Sequence, residues 1–174
     1  VLSLKADQSE DLIPEIAVQY PAPVFVNSIP YHSVYSIYIA MLMRDAGVTD
    51  YQMFRNLSSS ENSMTAMTIL LKNITDKYNL DDSVHERCMR NALHTLTISN
   101  SALSSRLLAL DDKDIAVIYS VGNNSSLFDN LKIPLLNKLF IDNEGNGENR
   151  FGVVYKAERE AILRSIEAER QKEE

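Results

Sequence analysis

Residues 88–110 read "CMRNALHTLTISNSALSSRLLAL". Together with the preceding "NLDDSVHER" they set the apolar period at Val84, Cys88, Met89, Ala92, Leu93 and Leu96, one stripe of a helix. Asp81 or Asp82 is placed to cap that helix. Asn100 is placed to cap a shorter one over "NSALSSRLLAL". Two consecutive amphipathic helices with a polar junction point to a helix-rich domain.

Upstream, residues 29–43 read "IPYHSVYSIYIAMLM", with a single histidine, and no carboxylate, lysine or arginine interrupts the run until Arg44. Ser33 can cap a helix over roughly 33–46, and Gly47 can end it. Just before it, "VFVNSIPY" has the pattern of a hairpin turning at Asn27-Ser28. Prolines 21 and 23 exclude a helix there. A second helix is expected over 48–57. A third follows a start signal at Ser60, with apolar residues at 64, 67, 70, 71 and 74 in helical period.

Downstream, "DIAVIYSV" is the clearest strand, a β-rich apolar run bounded by acidic residues and by "GNNSS". Residues 130–141 are amphipathic but interrupted by Pro134. "DNEGNGEN" is a loop. The last helix is expected from near Gly152 into a charged, solvated end. The expected architecture is α+β: one helix-rich domain with a small β-sheet, its strands near 24–31 and 115–121.

The totals narrow the function. A chain of 174 residues with 45% hydrophobic content holds one domain with a real core. Net charge is −7 and the isoelectric point is near 5.0, which argues against a non-specific nucleic-acid binder. One cysteine excludes an intrachain disulfide framework. No stretch reaches about 18 apolar residues, so no membrane partner is expected. The first residues lack a signal-peptide pattern. A cytoplasmic protein is the expectation, with a virus particle as the alternative location.

Chemical motifs are sparse. His85 and His94 are nine residues apart and His32 is remote from both, so no histidine metal pair forms. Cys88 lies on the apolar stripe and reads as a buried, inert thiol. Asp142, Glu144 and Asn146 followed by Gly147 match the first half of a calcium loop. Its twelfth position is Val153 instead of a glutamate, so a turn-rich acidic loop is the reading. No nucleophile elbow or nucleotide fingerprint occurs. No metal or cofactor is expected.

The order of these blocks resembles the YbiA-like, or NADAR, family, over roughly residues 22–164. "FVNSIPYHSVYSIYIAMLMRD" is similar to the block in which a hairpin delivers the catalytic helix. "LSSSENSMTAMTILLKNI" is similar to the next helix, with Ala66 near its start. Met89, Ala92, Leu93, Asn100, Leu103, Leu107, Leu108 and Ala109 match the third block without a gap. Gly147, Asn149, Gly152, Arg159 and Glu160 match the last. The resemblance implies domain limits of 23–164, with an extension over 1–22 and a charged helix end over 165–174.

Family members are N-glycosidases acting on riboflavin-pathway intermediates or ADP-ribosyl groups. Here the family's glutamate falls on Tyr35 and its histidine on Ser36. A family lysine falls on Leu42. The lysine and phenylalanine of the third block fall on Leu96 and Thr97. No tryptophan follows the strand, and Phe128 is its nearest equivalent. Cleaving an N-glycosidic bond develops positive charge at the sugar, and a carboxylate must stabilise it or activate water. A phenol with an ordinary pKa near 10 is neutral at pH 7 and cannot supply that anion.

The resemblance therefore implies a pseudoenzyme that works by binding. Its expected partner is a protein or a second copy, with a residual nucleotide-like ligand also open, and a phage or viral assembly is a compatible setting. Tyr31, Tyr35, Asn149 and Arg159 are the candidate ligand-binding residues. Asn149 could equally cap the last helix, and Arg159 could form an internal salt bridge. The alternative is an active N-glycosidase with a displaced carboxylate, for which Glu61, Glu144 and Glu148 are the candidates.

Overall fold

A computed structural model describes residues 2–5, 24–26, 29–31, 33–58, 64–99, 101–109, 115–118, 134–140 and 146–173. In chain order these hold β1 (Leu2–Lys5), β2 (Val24–Val26), β3 (Ile29–Tyr31), α1 (Val34–Asp45), α2 (Tyr51–Leu57), α3 (Met64–Lys77), α4 (Asp82–Ser99), α5 (Ser101–Leu108), β4 (Ile115–Ile118), α6 (Pro134–Leu139) and α7 (Arg150–Lys172).

Helix α1 is the centre of the molecule. Every residue from Val34 to Met43 is buried, as expected of a helix that is apolar all round. It packs against α4, α3 and α2. Its start is fixed by a reciprocal capping box. The Ser36 amide donates to Ser33 Oγ at 3.1 Å, and the Ser33 amide donates to Ser36 Oγ at 3.2 Å. Its end is fixed at Gly47, whose φ of +85° is the left-handed conformation that releases a helix. The amides of Gly47 and Val48 fold back onto the carbonyls of Arg44 and Met43.

The other boundaries follow local chemistry. Asp50 caps α2 by accepting from the Gln52 amide at 3.0 Å. The Asp81 carbonyl accepts from the amides of Val84 and His85 at the start of α4. Pro134 opens α6 instead of breaking it, because a first-turn position needs no amide hydrogen. Helix α7 begins at Arg150, two residues ahead of Gly152, and stays helical to Lys172 with every residue from Leu163 onward exposed.

Helices α4 and α7 run in the same direction. Asp82 at the start of α4 reaches Arg150 at the start of α7, and His94 and Thr97 farther along α4 reach Glu158 farther along α7. Helix α7 also packs against α5, α6 and β4.

The expectation of an α+β domain with a small β-sheet is corrected. Over the described residues the chain is mostly helical, with seven helices. Its extended segments are three or four residues long and form two separate two-stranded ladders. One joins β1 to β4 in parallel, Leu2 opposite Ile115. The other joins β2 to β3 antiparallel, Val24 opposite Tyr31. Segments 24–31 and 115–118 therefore share no sheet. The physical reason lies in α1: a helix buried on all sides is enclosed by other helices, so no sheet face is needed to cover the core. Two-stranded ladders have little stability of their own.

Of the expected features, the Asn27-Ser28 turn, His32, the Ser60 start signal, the Asn100 cap, Phe128 and the Asp142–Glu144 half of the acidic loop lie outside the described residues. No described helix is long and apolar enough to cross a membrane.

Candidate functional site

The first turn of α1 carries Tyr35, the position that the family resemblance aligns with the catalytic glutamate. Tyr35 is 0% exposed. Its hydroxyl lies 3.0 Å from Thr68 Oγ1 of α3, and the two share a hydrogen bond. Its ring stacks on Tyr38 with centroids 6.3 Å apart. The rings of Phe140 and Phe151 stand nearly perpendicular to it at 6.0 and 6.5 Å. Phe140 and Phe151 stack on each other at 5.3 Å. Four rings from α1, the end of α6 and the start of α7 thus form one buried aromatic cluster. Such contacts contribute about 0.5–1.5 kcal/mol per pair beyond area burial.

The remaining family positions on α1 are also absorbed by packing. Ser36, where the family histidine falls, is buried and spent on the capping box. Leu42, where the lysine falls, is wholly buried. On α4, Leu96 is buried, and Thr97 Oγ1 donates to Glu158 Oε1 at 2.8 Å.

Of the four candidate ligand residues, Tyr35 is a member of the aromatic cluster. Tyr31 is buried at the end of β3, four residues before Tyr35, and burial and the nearby Tyr51 raise its pKa. Asn149 stands at the N-cap of α7, two residues before Phe151. Its φ of +53° is left-handed, and its side chain makes no capping hydrogen bond. Arg159 is half-buried and eight residues beyond Phe151, about 12 Å along the helix axis.

Of the three proposed replacement carboxylates, only Glu148 is among the described residues. Glu61 and Glu144 lie outside those residues. Glu148 is exposed and pairs with Arg150 at 3.4 Å. A different carboxylate is better enclosed: the Glu158 side chain is 12% exposed, and its Oε1 also meets His94 Nδ1 at 2.9 Å. The imidazole of His94 is 61% exposed. Nothing in the sequence marks Glu158, because its partners lie 61 and 64 residues away.

Two more titratable groups are buried against α1. Tyr38 meets His85 Nδ1 through its hydroxyl at 2.8 Å. Cys88 is buried, with Sγ 3.5 Å from Asp45 Oδ2. Burial, followed by the Asp45 carboxylate, pushes its thiol up to about 12, so it stays protonated and unreactive near neutrality. Among the described residues, no group of three His, Cys, Asp or Glu side chains is placed to hold a metal ion.

No family model matches the sequence, and no curated protein matches it. Among solved structures, the NMR structure of the Escherichia coli protein YbiA matches with a TM-score of 0.62, covering 94% of this chain and 86% of that one at 16% identity. The fold is YbiA-like. At that identity the likeness is one of fold alone. In this YbiA-like fold the first turn of α1 presents a phenol to Thr68 and to other aromatic rings.

Proposed function

We propose that this chain is a YbiA-like pseudoenzyme, a domain that does not hydrolyse N-glycosidic bonds and acts by binding a protein partner, within an assembly. One observation carries the reading. At the position aligned with the family's glutamate, Tyr35 is wholly buried, bonded to Thr68 and enclosed by Tyr38, Phe140 and Phe151. A neutral phenol held this way offers no anion to a developing oxocarbenium ion. Loss of one acid–base group typically costs on the order of 10²–10⁴ in rate.

The test is incubation of the purified chain with ADP-ribosyl conjugates and riboflavin-pathway intermediates, followed by chromatography of released base and ribose. Release at the uncatalysed rate is expected. Faster release that disappears in Glu158→Gln or Glu148→Gln would overturn the proposal.

Glu158 favours a second reading, an N-glycosidase with a displaced carboxylate. It is the enclosed carboxylate that receives both a threonine hydroxyl and an imidazole. The same assay separates the two readings, because only the second requires turnover that depends on Glu158.

A further inference from the structure

Tyr38 of α1 and His85 of α4 meet inside the packed face between those helices. Tyr38 is wholly buried and His85 is 5% exposed. The phenol oxygen and His85 Nδ1 are 2.8 Å apart. Among the described residues the Tyr38 hydroxyl has no other hydrogen-bond partner. Its ring lies against Tyr35 at 6.3 Å and against Phe151 at 5.4 Å.

The bond works in one protonation state. A phenol has a single hydrogen, and a neutral imidazole can present one nitrogen as an acceptor. Tyr38 then donates its hydrogen to Nδ1, and the imidazole's own hydrogen sits on Nε2. An imidazolium carries hydrogens on both nitrogens and accepts nothing. His85 must then donate to Tyr38, whose own hydrogen loses the acceptor it had, a costly change for a buried donor.

The charged and titratable groups around the pair do not relieve this. They are Tyr35 from α1, Asp82 and Cys88 from α4, Lys138 from α6 and Arg150 from α7. Asp82 is the anion on the His85 side, and it is already shared by Lys138 and Arg150 at 3.3 Å each.

We propose that the Tyr38–His85 pair is a proton-operated latch between α1 and α4, closed when the imidazole is neutral and loosened when it takes up a proton. This goes beyond the binding reading and does not depend on it. Burial holds the His85 pKa below the ordinary imidazole value. The unfolded chain therefore takes up the proton first as pH falls. The latch's contribution is intact above about pH 6.5 and is lost as pH falls from there to the lower folded value.

The experiment is urea unfolding, with amide hydrogen exchange of α1 and α4, from about pH 8 to 5. Wild type is compared with His85→Gln, which keeps an acceptor for Tyr38 and does not titrate. The wild-type midpoint is expected to fall across the window. Its α1 and α4 opening, corrected for intrinsic exchange, should rise up to tenfold per pH unit between the two pKa values. His85→Gln should stay flat. A flat wild type, or an equal fall in His85→Gln, overturns the latch. Should His85→Gln not fold, the wild-type His85 Cε1–H resonance decides: titration below about pH 6.5 supports the latch, and titration at or above it overturns it.

Discussion

At position 35 a phenol sits in an apolar interior with its one polar atom turned toward Thr68 Oγ1, 3.0 Å away. Tyr155 of α7 is equally buried, yet its hydroxyl has no hydrogen-bond partner among the described residues, and burial raises its pKa. The two sites predict opposite responses to the same change. Tyr35→Phe removes a made bond and should cost about 1 kcal/mol. Tyr155→Phe removes an unmade one and should be neutral or raise stability by about 1 kcal/mol. Urea midpoints of the two variants against wild type check both signs. Returning the family's carboxylate is a harsher change, because Tyr35→Glu buries an acid among Tyr38, Phe140 and Phe151. It should lower stability by several kcal/mol and restore no base release, measured by thermal unfolding and by the glycosidase assay. In the sequence, the absence of charge from residues 29–43 already showed an apolar surrounding for Tyr35. Thr68 and His85 could not be read as the partners of Tyr35 and Tyr38, since hydrogen bonds spanning 33 and 47 residues leave no trace in local spacing.

Among the elements, the best-signalled boundaries belong to α1, because a cap and a stop are local chemistry. Ser33 closes its box with Ser36 three residues on, and Gly47 takes the φ that other residues resist. Ser33→Ala should therefore cost about 1 kcal/mol. Gly47→Ala should cost about 1 kcal/mol as well. An added Cβ there meets nothing within 4 Å, so the cost is conformational and not steric. Denaturant titration of each variant, with helicity by circular dichroism, checks both. Strand pairing was not legible in this way. Each residue of β4 can offer its backbone to any extended segment, and the partner it takes is β1, far away in sequence at Leu2–Lys5. A β-rich run such as "DIAVIYSV" signals extended backbone but does not say how many strands will join it. That is why a small sheet was expected where two separate ladders stand.

For the molecule as a whole, the described interior is mainly aromatic and aliphatic, and the ion pairs that join its helices are at least partly exposed. Asp45 of α1 meets Arg87 of α4 at 2.6 Å. Asp82 of α4 meets Lys138 of α6 and Arg150 of α7. The Arg87 hydrogen bond is the first cause holding the Asp45 pKa below its ordinary value, and the Lys138 hydrogen bond is the first for Asp82. A carboxylate with a depressed folded pKa stabilises the fold above its unfolded value, about 3.9, and that contribution disappears as pH falls through the folded value. Acid unfolding should therefore have two parts. The part below about pH 3.9 belongs to Asp45 and Asp82 and should shrink in about 1 M NaCl, where exposed pairs are screened within about 3 Å. The part beginning near pH 6.5 belongs to the buried His85 and should persist in the same salt, because screening reaches buried groups weakly. Urea midpoints from about pH 8 to 2.5 at low and high salt, for wild type and Asp45→Asn, resolve the two. Asp45→Asn should flatten part of the lower limb and leave the upper one in place. An upper limb that vanished with salt would place the neutral-range titration on exposed charges instead of the buried pair.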